Sequence, residues 1–515
     1  MILNSGSLPL MLRRYKPVIV GVLALAGGVA GGLLAHWPLL TLAGLGVLIL
    51  GLVLVSWPKT ATLVVLFILY SNVAVVAVRF HGLPFFLGAA FPLLLALPLV
   101  SYLILERRRL RITPALPAVL AFLMIQQISM LFSDNPADAF SVVLNTLSEG
   151  FLIYVLLINV VRTPSMLRYA AWTLLFAGLV LAGAPIIQQL TGTFDNDFGG
   201  LGQLSAASFR TGETGLQGDV RQSRLTGPIG EQNRYSQVML LLVPLGWFLI
   251  HAKRKLSLRL LAGALTVVAL AGMILSFSRG GAVAFVIVVL AMLATRLIRP
   301  AHVFAIVLAV SVAILVFPQY TARLVTIPSV TGLLDEEAAA SEQDGAIRGR
   351  ATVMMAAVLV FADHPLLGVG PGQFKYYSAE YGNRLGLRIL EGNREAHSLY
   401  LGIAADYGIF GLLAFLALCL LPVWTILRAR HTLAARQPEL HYVALGFAFA
   451  MIAYLASGIF LHLSYIRYFW LILALVDSAA FMVQRAVEEE QEPAGSRLRF
   501  LRRLRHPAAP AGETG

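Results

Sequence analysis

The chain has 515 residues, of which 58% are hydrophobic and only 13% charged, and its mean hydropathy is +0.80. These values exclude a soluble globular protein and predict a bundle of membrane helices, each needing about 20 apolar residues to cross the hydrocarbon core. The net charge of +13 sits mainly in the connections, where it marks topology and calls for no nucleic acid; the single cysteine, Cys419, rules out a disulfide framework and a thiolate metal site.

In chain order, fourteen segments qualify as spans: near 17–35, 38–56, 61–79, 84–104, 114–132, 144–161, 167–190, 235–250, 258–277, 281–296, 301–317, 398–427, 441–462 and 467–485. The segment at 144–161 carries Glu149, and the one at 281–296 is short. Basic residues follow every second span. Examples are Lys59, the run Arg107 to Arg111, Arg162, Lys253 to Lys255, Arg296 with Arg299, and Arg428 with Arg430. Lysine and arginine concentrate on cytoplasmic loops, so both termini are expected in the cytoplasm. Treating the first segment as a cleaved signal peptide would put this alternation out of phase. The basic tail is expected to be solvated, with some attraction to anionic membrane lipids.

The predicted fold is an all-α polytopic membrane protein of about 14 transmembrane helices (12–14), with cytoplasmic termini and two large outer loops. Residues 1–190 form the N-terminal helices, 191–234 the first outer loop and 235–317 the central helices. Residues 318–397 form the second outer loop, 398–485 the C-terminal helices and 486–515 the basic tail.

The outer loops hold most of the polar chemistry. The first carries Arg210, Arg221, Arg224 and Arg234, against the positive-inside bias, so its arginines read either as an anion site or as ordinary solvated charges. A tight turn, Ser276-Phe277-Ser278-Arg279-Gly280-Gly281, opens the short span. Arginine at depth is costly and must face protein or an anion unless it reaches the interface. The second loop delivers Arg350 and then His397, just before a helix re-enters the membrane. Histidine is the side chain suited to take a proton near neutral pH, so His397 reads as a general base or, more plainly, as the cap of an interfacial helix. At about 100° per residue, Tyr400, Leu401, Ala404, Gly408 and Gly411 are expected to share the face of His397, turned into the bundle, with Asp406 opposite. A carboxylate from Glu391 or Glu395, or from another loop, is the expected partner of the imidazole.

Two motifs carry little weight. Asp195-Asn196-Asp197 has the Asp-X-Asp form of a metal site, but it is also common turn chemistry and lies where nucleotide sugars are absent. Gly368-Val369-Gly370-Pro371-Gly372 lacks a preceding strand and reads as a rigid turn, not a dinucleotide loop.

Taken in order, these residues resemble the bacterial O-antigen ligase and O-antigen polymerase superfamily. The resemblance rests on Arg350-x-x-Val353-Met354, Asp363-His364-Pro365-Leu366-x-Gly368-x-Gly370-x-Gly372-x-Phe374 and His397-Ser398-x-x-Leu401 through Asp406-x-Gly408-Ile409-x-Gly411. It is joined by Arg224-Leu225-Thr226-Gly227 through Asn233 and by Ser278-Arg279-Gly280-Gly281, and covers roughly residues 220–415. Family members often have tryptophan where Met354 stands and glutamate where Asp406 stands.

The resemblance implies a multi-pass inner-membrane glycosyltransferase of the GT-C type with its active site facing the periplasm. The implied donor is a glycan on undecaprenyl pyrophosphate, and the acceptor is a hydroxyl of lipid A–core or of another glycan. His397 would be the catalytic base; Arg224, Arg279 and Arg350 would bind the donor pyrophosphate; Asn233, Glu395 and Tyr400 would support them. Displacement with inversion is expected, with no metal and no cofactor. A repeat-unit polymerase and a protein O-oligosaccharyltransferase stay open as alternatives. A lipid-glycan transporter fits less well, since its polar groups would gather at mid-membrane.

Overall fold

The structure, a computed structural model, describes residues 57–85, 88, 91–193, 196–202, 215–217, 220–222, 224–252, 255–304, 342–385, 392–463 and 466–491. The expected spans at 17–35 and 38–56, most of the one at 301–317, Asp195, Glu391 and the basic tail lie outside them. Contacts divide the chain into two units. The first comprises Met1–Thr62 and Leu93–Arg109; its described part includes the start of a helix at Pro58 and the short turns Ala96–Val100 and Ser101–Leu105. The second comprises Leu63–Pro92 and Leu110–Gly515 and holds every residue discussed below except the first residues of the helix that starts at Pro58.

The helices are α1 (Pro58–Ser71), α2 (Val73–Phe80), α3 (Leu116–Met130), α4 (Pro136–Val160), α5 (Pro164–Thr191), α6 (Gln232–Ala252) and α7 (Leu256–Leu275). They continue with α8 (Arg279–Ala294), α9 (Glu342–Asp363), α10 (Phe374–Arg384), α11 (Leu399–Arg436), α12 (Pro438–Ser457) and α13 (Ile466–Gln491). Among the described residues a single hairpin pairs Gly215–Gln217 with Val220–Gln222. Among the described residues seven helices are long and apolar enough to cross a membrane, or eight if α1 and α2, bent by 64° at Asn72, form one span. The α3 and α8 helices, of 15 and 16 residues, are shorter.

Local chemistry explains the breaks. Asn72 adopts a left-handed φ of 60° between α1 and α2. Its amide donates to Pro228 O at 2.7 Å, and Arg467 donates to its carbonyl oxygen. Asparagine tolerates this conformation better than most residues. The widened turn Thr146–Phe151 lets α4 run on through Glu149 to Val160. Asp477, buried within α13, accepts from Ala115 N at 3.1 Å and from Tyr154 Oη at 2.5 Å. One carboxyl group thus ties the residue that opens α3 and the wall of α4 to α13, as a buried polar group requires.

The expected outer loop at 318–397 contains structure. In α9 the residues Val353, Ala356, Ala357 and Val360 repeat at helical spacing and bury one face against Val369, Phe374 and Ala405. The glycine-rich segment is a rigid turn that docks into a break in α11. Gly408 has φ 65° and ψ −164°, interrupting the helix after its first turns. Its neighbours then pair with the turn: Val369 N donates to Ala405 O at 3.0 Å, Gly370 N to Asp406 O at 2.9 Å, and Ile409 N to Pro365 O at 2.8 Å. The Asp406 carboxylate accepts from Gly372 N and Phe374 N, capping α10. The polar groups exposed by the break are therefore satisfied internally, as buried backbone groups must be.

Candidate active site

One end of the bundle gathers the start of α6, the α7–α8 turn, the start of α11 and the end of α12. Here a cleft of about 350 Å³ is lined by Asn233, Ser278, Arg279, Arg350, Met354 and His397, with Ser457, Phe460 and Leu461 closing one side. Four of the sequence-predicted site residues thus come together from segments far apart in the chain.

The α7–α8 turn is built in detail. The last carbonyls of a helix lack partners within it. Arg224 supplies them, with Nε donating to Ser276 O at 3.1 Å and Nη2 to Phe277 O at 3.3 Å, while Leu225 N donates to Leu275 O at 3.1 Å. Phe277 is held at φ 50°. Ser278 then caps α8 by accepting from Gly281 N at 3.1 Å, and donates to Asn233 Oδ1 at 2.8 Å. Asn233 in turn donates from Nδ2 to Glu231 at 2.9 Å, and the same carboxylate accepts from Asn233 N and Arg234 N. Gly281 permits this assembly, since a Cβ there would stand 2.0 Å from Ser236 Oγ. The positive ends of α6 and α8 are thereby locked side by side at the cleft, beside Arg279 and Arg350. That combination of helix N-termini and guanidinium forks fits an anion.

The placement of the other expected residues differs. Arg224 does not line the cleft; its guanidinium is engaged on the turn that presents Ser278 and Arg279. Tyr400 donates to Leu455 O at 2.7 Å and fastens α11 to α12. Glu395 is exposed, and its charge acts on Lys375; the carboxylate that acts on His397 is that of Glu231.

His397 itself precedes the helix. It has φ 51°, Ser398 is extended, and α11 begins at Leu399, so the expected helical phase from His397 does not hold. Leu399 N donates to Gly458 O at 2.7 Å, pinning the start of α11 to the loop after α12. A non-glycine residue at positive φ is strained, and such strain clusters at functional sites. Burial, then Arg350 and Arg394, hold the imidazole below its usual pKa, with Glu231 opposing them. The ring is therefore neutral near pH 7 and able to accept a proton.

The expected span at 441–462 ends earlier, because α12 stops at Ser457. Of the residues beyond it, Phe460 and Leu461 form a cleft wall, and the ring of the next residue, His462, lies 6.0 Å from that of His397 at 75°. Sequence reasoning placed His462 inside a span and passed over Glu231; the signal for the second was a carboxylate two residues before Asn233 at a helix start. Among the described residues no group of three or more histidine, cysteine, aspartate or glutamate side chains converges as a metal site.

Residues 264–416 match the family model described as O-antigen ligase. No curated protein matches the chain. The matched stretch contains Arg279, Arg350, His397 and the glycine turn, and leaves out Arg224, Asn233 and His462. Over those residues the chain is similar to the O-antigen ligase family, and the resemblance read from its motifs to the O-antigen ligase and polymerase superfamily is borne out.

Proposed function

We propose that the protein transfers a glycan from undecaprenyl pyrophosphate to an acceptor hydroxyl at the periplasmic face of the inner membrane, with lipid A–core as the acceptor. The observation that carries this reading is the convergence of His397, Arg279 and Arg350 with the capped start of α8 on one cleft. Arg279 and Arg350 hold the pyrophosphate, and the positive end of α8 adds to their field. His397 takes the proton of the acceptor hydroxyl as its oxygen bonds to the anomeric carbon. The bond from that carbon to the phosphate oxygen breaks, and its electron pair leaves with the pyrophosphate, whose growing charge the arginines stabilise. Arg224 acts through the turn it braces, and Asn233 through Ser278. One displacement of this kind inverts the anomeric centre.

The test is the surface glycan of a strain lacking the protein, together with transfer by the purified protein. Full-length polymer left on its lipid carrier supports ligation to lipid A–core. Single repeat units on the carrier would replace that acceptor by another repeat unit, and unchanged glycan with no transfer in vitro would refute the reading.

A further inference from the structure

The inference concerns what orients the base, and it rests on the function proposed above. Among the described residues no hydrogen bond holds the His397 ring, and its backbone is strained at φ 51°. An imidazole in that state keeps one orientation only if something packs against it. The ring that does so is His462, from a loop 65 positions further along the chain, edge-to-face at 6.0 Å. We propose that His462 is a positioning residue: its ring fixes His397 in the orientation that addresses the cleft and keeps water from the side of the base turned away from substrate.

Three observations carry this. The His462 loop is anchored, since its carbonyl accepts from Arg234 Nη2 at 2.8 Å, and Arg234, only 2% exposed, also donates to Gln237 at 2.8 Å. The preceding Phe460 and Leu461 line the cleft, so the loop belongs to the wall of the site. The Nδ1 atom of His462 is buried and, among the described residues, has no hydrogen-bond partner, an environment that favours an uncharged ring. The charged groups acting on the pair are Arg350 from α9, Arg394 and Glu231 from the flanking loops, and Arg234 from α6. Burial first, then Arg234 and His397, push the pKa of His462 down to about 3. It therefore stays neutral while His397 cycles through its protonated form, and a neutral aromatic neighbour tolerates that charge where an imidazolium would not.

The experiment measures glycan transfer by the full-length detergent-purified protein from an undecaprenyl-pyrophosphate-linked glycan to lipid A–core, across pH, for His462→Ala, His462→Asn and His462→Phe. We expect kcat to fall in the alanine and asparagine variants by up to about 10²-fold, as for a misplaced catalytic group, with KM for the donor unchanged. The acid limb of the pH profile should move upward as water reaches His397, and phenylalanine should restore both. If alanine fails to fold, asparagine against phenylalanine gives the same contrast. Parent-like kcat and acid limb in the ringless variants, or a loss that phenylalanine does not repair, overturns the inference. His397→Ala separates the two levels: if it is inactive while His462→Ala matches the parent, only this inference fails. A fully active His397→Ala removes the base and the inference together.

Discussion

Replacing Gly408 by alanine is the sharpest test of how the site is held. An ideal Cβ at this position stands 2.2 Å from Leu366 O and 2.5 Å from Leu367 N, both backbone atoms that no rotamer change can move. The conformation, φ 65° with ψ −164°, is one that glycine almost alone adopts, and forcing alanine into it costs about 1–3 kcal/mol. Relieving the clash by moving the turn away breaks the three interleaved backbone bonds described above, each worth about 1 kcal/mol net and more if its partners stay buried. The expected loss is therefore about 4–6 kcal/mol, a large part of the roughly 5–15 kcal/mol that separates folded from unfolded states in typical proteins. The assay is thermal unfolding of the detergent-purified protein, read as surviving monodisperse material. Gly263→Ala serves as control, because its Cβ meets nothing nearer than Ile250 Cδ1 at 3.9 Å and it lies inside α7. We expect the control to match or slightly exceed the parent, and Gly408→Ala to unfold well below both. Equal unfolding temperatures for Gly408→Ala and the parent would show that the turn does not dock into α11 as described.

The arginines are expected to separate by role: Arg350→Lys should raise KM for the lipid-linked donor by at least about tenfold because lysine lacks the planar fork. Arg224→Lys should lower kcat with little change in KM and also lower thermal stability, since the Ser276 and Phe277 carbonyls just after α7 lose a two-pronged donor; identical kinetic defects in the two variants would refute the division. The pH dependence follows from the lowered pKa of His397. A base held below the ordinary value of about 6.5 stays competent at neutral pH, so activity should be flat near pH 7 and fall only below that ordinary value. Folding stability should follow the same direction. The unfolded chain binds protons first at His397 and at His462, whose folded value is about 3, so stability is lost as pH falls from about 6.5 toward the folded values. A rate that rises on acidification would exclude His397 as base.

Much of the bundle was legible because hydropathy reports burial in lipid directly. The segments 167–190 and 235–250 fall inside α5 and α6, and 467–485 falls inside α13. What escaped was wherever tertiary contacts supplied the partners that let a helix stop. The break at Asn72 is fixed by Pro228 and Arg467, and the break at Gly408 by a turn about forty residues earlier in the chain. Neither partner is visible in a window of local sequence. The left-handed His397 is a similar case, since helical phase was counted from a residue that precedes the helix. By contrast, the apolar face of α9 was present in its i, i+3, i+4, i+7 pattern and was hidden only by the polar residues around it. For the site, residue type singled out Arg224, Arg279 and Arg350 as candidates for binding an anion. Which of them meets the cleft and which meets carbonyl oxygens depended on the α7–α8 turn.

The shortness of α8 bears on how a substrate arrives. Its 16 residues rise about 24 Å, less than the roughly 30 Å of a hydrocarbon core. Were Arg296 and Arg299 to anchor its far end at one interface, Ser278 and Arg279 would lie several ångströms beneath the other. On the same helix Val283, Val286 and Leu290 are exposed at i, i+3 and i+7, and Val283 also lines the cleft. In that placement these side chains would form an oily track from the interior of the bilayer to the arginines. A phosphate tethered to a long isoprenoid can follow that track sideways without being lifted into water, whereas a free sugar pyrophosphate has to descend alone. Competition by a donor analogue stripped of its lipid is accordingly expected to be weak, and inhibition as strong as that of the lipid-bearing form would rule out lateral entry.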